Sequence, residues 1–144
     1  MFTSALMCLA TAIYFEARNQ SLEGQLAVAQ VVLERVYDPR FPDTVCEVVT
    51  AGGETRSRCA FSFYCDGRSD TPTDERALLI ARLVALGALS GFLSDVTGHA
   101  THYHAYYVRP DWALSMRPTR IIGDHIYYRD IPSGEDHGPW TGRE

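Results

Sequence analysis

Glu16 stands in the stretch "AIYFEARNQSLEGQ", residues 12–25, where an apolar helical run stops and a polar turn begins. A carboxylate in the last turn of a helix lies near the negative end of the helix dipole, which disfavours ionisation, and a dry surrounding disfavours it further. Such an acid keeps its proton to higher pH and can donate it in general acid–base chemistry. The bland alternative is a solvated surface glutamate. Against it stand Tyr14 and Phe15 just before the acid. Three more aromatic groups, Phe61-Ser62-Phe63-Tyr64, Tyr103 with Tyr106-Tyr107, and Tyr127-Tyr128, offer faces and hydroxyls of the kind that line a sugar-binding cleft. Aromatic residues at these spacings are more often core than cleft.

Two other constellations carry residues capable of chemistry. His99, His102 and His104 with Asp111 collect possible zinc ligands, and His102 and His104, two apart on a strand, share one face. The H-x-H pair and the following aspartate share His104, which leaves too few independent ligands; histidines bonded to backbone or sugar are the better account. The four cysteines, Cys8, Cys46, Cys59 and Cys65, permit three pairings. A Cys46–Cys59 bridge would staple the turn at Gly52-Gly53 and contribute about 3 kcal/mol through loop closure. Four buried thiols are the alternative.

The elements that must position these residues follow from periodicity and capping. Residues 4 to 17 recur at three- and four-residue apolar spacing, so a helix carries Glu16 in its last turn. Ser21 is the expected N-cap of a second, core helix through Val36, and Asp43 that of a short helix through Val49. From Glu54 to Gly67 the pattern reads as strand or extended loop closing on Asp66-Gly67. Thr71-Pro72-Thr73-Asp74 signals the start of a helix to about Leu89, ended by Gly91. Residues 100–108 and 125–130 read as two partner strands, joined by a connection containing Pro110, Trp112 and Pro118. The outline is α+β, helices first and a small antiparallel sheet after, in one domain over 1–144 with its core at about 4–131 and a loose tail at about 132–144.

The totals exclude several classes. At 144 residues the chain can bury a single core, and its 46% hydrophobic and 22% charged composition is that of a folded domain. Net charge is −5 and all 13 basic residues are scattered arginines, so a nucleic-acid partner is not expected. No apolar run is long enough to span a bilayer. Residues 1–9 lack the basic start and cleavage site of a signal peptide.

Taken together, "CLATAIYFEAR", "LEGQLAVAQVVLERV", "FPDTVCEVV", "CAFSFYCDG", "ATHYHA", "VRPDWA" and "IGDHIYYR" resemble, in order from about Cys8 to Arg129, the SleB-type cell wall hydrolases, the group that includes spore-cortex-lytic enzymes. The resemblance implies a lysozyme-like α+β fold and cleavage of peptidoglycan glycan strands by lytic transglycosylation between N-acetylmuramic acid and N-acetylglucosamine. It implies a periplasmic or wall location, no cofactor, and Glu16 as the catalytic glutamate. Phe61, Ser62, Tyr103 and Tyr127 are the expected substrate-binding residues, and a monomer is expected. Asp66 is the candidate second acid if simple hydrolysis occurs; Glu23, Asp111 and Asp124 are weaker candidates. Three positions depart from the pattern in relatives: Asn19-Gln20 for Gly-Glu, Glu34 for Asn, and Ala60 for Gln.

Overall fold

The computed structural model describes residues 4–53 and 58–130. The expected tail at 132–144 lies outside the described residues, as do residues 54–57 at the start of the run read as strand or extended loop.

Helix α1 spans Ala5–Ala17 and begins on Ser4, whose hydroxyl accepts the Met7 N–H at 3.2 Å, relieving one of the unpaired first-turn donors. Its buried residues, Cys8 to Tyr14 and Ala17, occupy nearly every face, so the helix has to be enclosed by others. Helices α2 (Leu22–Tyr37), α3 (Val45–Thr50) and α4 (Glu75–Ser90) all pack against it. α2 starts on Ser21, as its sequence predicts, with the Ser21 hydroxyl accepting from Gly24 N–H at 3.1 Å. It faces two ways: Ala29 and Val32 join the helical core, while Ala27 and Val31 join a second cluster with Ala100, Ile122 and Tyr127.

The other caps fall one or a few residues later than expected. Thr44, not Asp43, caps α3 and accepts from Glu47 N–H; Asp74, not Thr71, caps α4 and accepts from Ala77 N–H at 3.0 Å. Gly91, at φ 76, closes α4 in the left-handed conformation that favours glycine. Of the run read as strand or extended loop before Gly67, residues 58–61 are irregular chain and Ser62–Cys65 form a 3₁₀ turn, so no strand is present among the described residues there.

The sheet has three antiparallel strands in the order β1-β3-β2: β1 His102–Ala105, β2 Arg117–Ile122 and β3 His125–Arg129. β1 and β3 are the partners the sequence predicts. β2 lies inside the stretch read as a connection, preceded by a 3₁₀ turn at Asp111–Ser115. Pro118 hid it, since proline cannot donate to a ladder; the chain accommodates it on an edge strand, with a register irregularity between Pro118 and Arg120. Gln20, in the turn after α1, fixes the β2–β3 turn to the helices by donating to Asp124 Oδ2 at 3.0 Å and accepting Asp124 N–H at 3.2 Å.

The cysteines form Cys8–Cys46 and Cys59–Cys65 bridges, which corrects the Cys46–Cys59 expectation. Cys8 lies inside α1 and meets Cys46 because α3 packs on that helix, a tertiary fact that cysteine spacing does not contain.

Candidate active site

Glu16 is the penultimate residue of α1, and its side chain is partly buried. Two residues before it, Tyr14 is only 1% exposed and its phenol oxygen accepts three donors: Asp74 N–H at 3.0 Å, Thr73 N–H at 3.3 Å and Arg18 Nη1 at 2.6 Å. These donors, Asp74 N–H foremost, hold the phenol below its ordinary pKa. The end of α1 is thereby tied to the start of α4. Phe15 stacks on Phe63 with centroids 5.0 Å apart. With its neighbours on either side anchored, the helix end cannot rotate Glu16 away without breaking these contacts.

From the sheet, Tyr103 of β1 donates its hydroxyl to Glu16 Oε1. The Tyr103 ring is backed by His125 at 4.9 Å and Tyr127 at 5.5 Å. Burial first, and the Glu16 carboxylate second, push the Tyr103 phenol well above its ordinary value, so it stays a donor at every working pH. Glu16 itself is raised above the ordinary carboxylate value, chiefly because burial penalises the anion; the Tyr103 hydrogen bond and the Arg35 charge pull the other way. No second carboxylate acts on it among the described residues.

Arg35 is the residue that motif reading passed over. Its Nε donates to the Thr101 carbonyl at 2.7 Å, and its guanidinium lies over Phe41 at 4.9 Å and Phe61 at 5.6 Å. Its place on the apolar face of α2, one residue before Val36, is the signal that could have found it. An arginine set among core positions requires a reason.

The remaining sequence candidates separate. Tyr103 contacts the acid. Phe61, 2% exposed, and Tyr127, fully buried, lie in the core and have no face open to a sugar; they support Arg35 and Tyr103 from behind. Ser62 is exposed at the start of its 3₁₀ turn. Asp66 is exposed and accepts Arg68 N–H at 2.9 Å, the bond of a turn former. Asp124 is occupied by Gln20, and Glu23 and Asp111 are exposed in the first turns of their helices.

The histidines are engaged one by one. His99 faces Glu34 at 3.3 Å, His102 meets Thr101 Oγ1 at 2.9 Å, and His104 meets the Tyr128 hydroxyl at 2.7 Å. His102, His104 and Tyr128 gather around Trp112 with centroids 5.2 to 5.7 Å away, an aromatic wall built on β1 and β3. Burial, and then the Arg35 charge, lower His102 to about 4, so it is neutral in ordinary buffers. No group of three metal-ligating side chains converges among the described residues. Two of the departures from relatives acquire partners here: Gln20 holds the β2–β3 turn and Glu34 faces His99. A surface hollow of about 700 Å³, lined by Met7, Cys46, Thr50, Tyr64 and Asp70, opens towards the opposite end of α1.

Replacing Tyr103 by Phe tests the contact with the acid. With the donor gone, the Glu16 carboxylate loses a stabilising bond and its pKa rises further. The alkaline limb of the rate–pH profile is then expected to move upward, while the plateau rate falls about tenfold, the equivalent of one charge-assisted hydrogen bond. A profile that moves downward, or not at all, would separate Tyr103 from the proton chemistry.

Comparison with known proteins adds three findings. The family model described as Cell Wall Hydrolase matches residues 19–128, beginning just past Glu16. The chain is 36% identical over 127 residues to the spore cortex-lytic enzyme of Halalkalibacterium halodurans and 37% over 127 residues to that of Oceanobacillus iheyensis. Each alignment takes in 85% of this chain but only 34% and 40%, respectively, of the relative, so the chain spans well under half the length of these proteins. Among solved structures, the catalytic domain of the Bacillus cereus SleB protein superposes with a TM-score of 0.66 at 31% identity, over 87% of this chain and 89% of that one. The catalytic domain of the germination-specific lytic transglycosylase SleB from Bacillus anthracis superposes with a TM-score of 0.67 at 30% identity, over 90% and 97%.

Proposed function

Because this chain belongs to the cell wall hydrolase family, we propose that it cleaves the glycan strands of peptidoglycan as a lytic transglycosylase, with Glu16 acting first as acid and then as base. The observation that carries the reading is a single buried carboxyl group, raised in pKa, with a tyrosine donor and a nearby arginine but no second carboxylate acting on it among the described residues.

The two halves of the reaction use opposite features of that surrounding. Burial favours the protonated form of Glu16, which gives its proton to the glycosidic oxygen as the bond from muramic C1 to that oxygen breaks and the glucosamine leaves as an alcohol. The carboxylate so formed is stabilised by the Tyr103 hydroxyl and the Arg35 charge. The C6 hydroxyl of the muramic sugar then attacks its own C1, forming the C1–O6 bond, and its proton returns to Glu16. No water is consumed and the acid is regenerated. A hydrolase of the two-carboxylate kind places its second acid within about 5 to 9.5 Å of the first; Asp66 serves a turn instead.

Mass analysis of purified peptidoglycan digested by this chain is expected to give 1,6-anhydromuramic ends. Reducing muramic ends would replace transglycosylation by hydrolysis, and freed stem peptides sensitive to EDTA would replace both by metallopeptidase chemistry. On this reading the reaction takes place where peptidoglycan lies, in the periplasm or wall.

A further inference from the structure

Arg35 is held in a manner that leaves part of it unused. Nε is bound to the Thr101 carbonyl and the flat of the guanidinium is covered by Phe41 and Phe61, so the group cannot swing. Nη1 and Nη2 have no hydrogen-bond partner among the described residues, and neither is sealed from solvent. The adjacent cation differs: Arg40 is closed by Asp38 at 2.6 Å and Asp130 at 2.5 Å. Among the described residues Arg35 makes no ion pair, although Glu16 and Tyr103 are near enough to feel its charge.

Arg35 and Glu16 meet neighbouring positions of one stretch of chain: Arg35 binds the Thr101 carbonyl, Glu16 the hydroxyl of Tyr103 two residues further on, and the arginine's charge acts on the acid directly. An immobilised guanidinium with two unbonded nitrogens is suited to a carboxylate or carbonyl oxygen. In a glycan of alternating N-acetylglucosamine and N-acetylmuramic acid both sugars carry an acetamido carbonyl at C2, but only the muramic residue carries a further acceptor at O3, the lactyl arm. It ends in a carboxylate when free and in an amide carbonyl when a peptide is attached.

We propose that Arg35 binds the lactyl arm of the muramic residue at the scissile bond, and so makes the site select muramic acid over glucosamine. This rests on the peptidoglycan reading above. Phe41 and Phe61 serve as the shelf that aims the guanidinium, and the Thr101 carbonyl fixes its register against Glu16.

The test uses the Glu16→Gln chain as a non-cleaving trap, with calorimetric binding of a tetrasaccharide of alternating glucosamine and muramic acid bearing free lactyl carboxylates, and of chitotetraose, which lacks the arm. The trap is expected to bind the muramic tetrasaccharide about tenfold more tightly. Adding Arg35→Gln is expected to abolish that preference while chitotetraose affinity stays within twofold. Arg35→Lys keeps the charge and loses the fork and the Thr101 bond, so the preference is expected to fall at least threefold; this variant decides the matter if Arg35→Gln does not fold. Equal binding of the two sugars by the trap, or a preference that survives both substitutions, overturns the role of Arg35 and leaves the function standing. Failure to bind either sugar overturns both.

Discussion

Glu16→Gln is expected to lower the rate of glycan cleavage by at least about 10³-fold, as loss of a group that serves as both acid and base requires. The amide matches the acid in shape. It can still accept the Tyr103 hydroxyl, but it has no proton to give to a leaving oxygen and no charge with which to take one back. Stability is expected to move the other way. The folded protein holds the Glu16 proton to a higher pH than the unfolded chain, because burial raises its pKa. Native stability therefore declines as pH climbs from the unfolded value through the folded one, and the loss is complete above it. Gln carries no such loss. The variant is expected to melt with the parent at acidic pH and at or above it at neutral pH. Thermal melts at two pH values, set beside rates on purified wall material, read both effects. A folded variant that still dissolves the wall at the parent rate would exclude Glu16 as the acid.

Removing the Cys8–Cys46 bridge has the second largest expected effect, this time on stability. The bond links residues 38 apart in sequence, and in the chain-entropy account closing a loop of that size stabilises by about 4 kcal/mol. For a domain of this size, Cys8→Ala with Cys46→Ala is expected to lower Tm by about 10 °C or somewhat more. The bond lies near the start of α1, about 12 Å along the helix axis from Glu16 at 1.5 Å per residue. Well below the new Tm, the rate per folded molecule is therefore expected to be unchanged. Melts and rates on the same preparation check both. An unaltered Tm would mean that the packing of α1 against α3 holds without the bridge.

How much of this was legible depends on whether the deciding interaction is local. The extents of α1 and α2 and the end of α4 were readable because apolar spacing, the Ser21 cap and the closing Gly91 all act within a few residues. Glu16 and Tyr103 were each picked out, one by its helix end and the other by its aromatic block, but the bond between them joins residues 87 apart in sequence. Aromatic chemistry alone could not tell Tyr103, which reaches the acid, from Tyr127, which is wholly enclosed two strand residues from His125. Phe61 likewise reads as a sugar platform and is a shelf for Arg35. β2 was lost to Pro118, whose local meaning as a strand breaker is overridden by its edge position. The cysteine pairing depended on which helices touch.

The order of the strands places Tyr103 on a rim. Among the described residues β1 has β3 as its one partner in the sheet, whereas α1 packs against three helices. The acid and the phenol bonded to it are thus carried by separate parts of the fold, one on an enclosed helix and the other on an edge strand, so that their hydrogen bond reports directly on whether helices and sheet are docked.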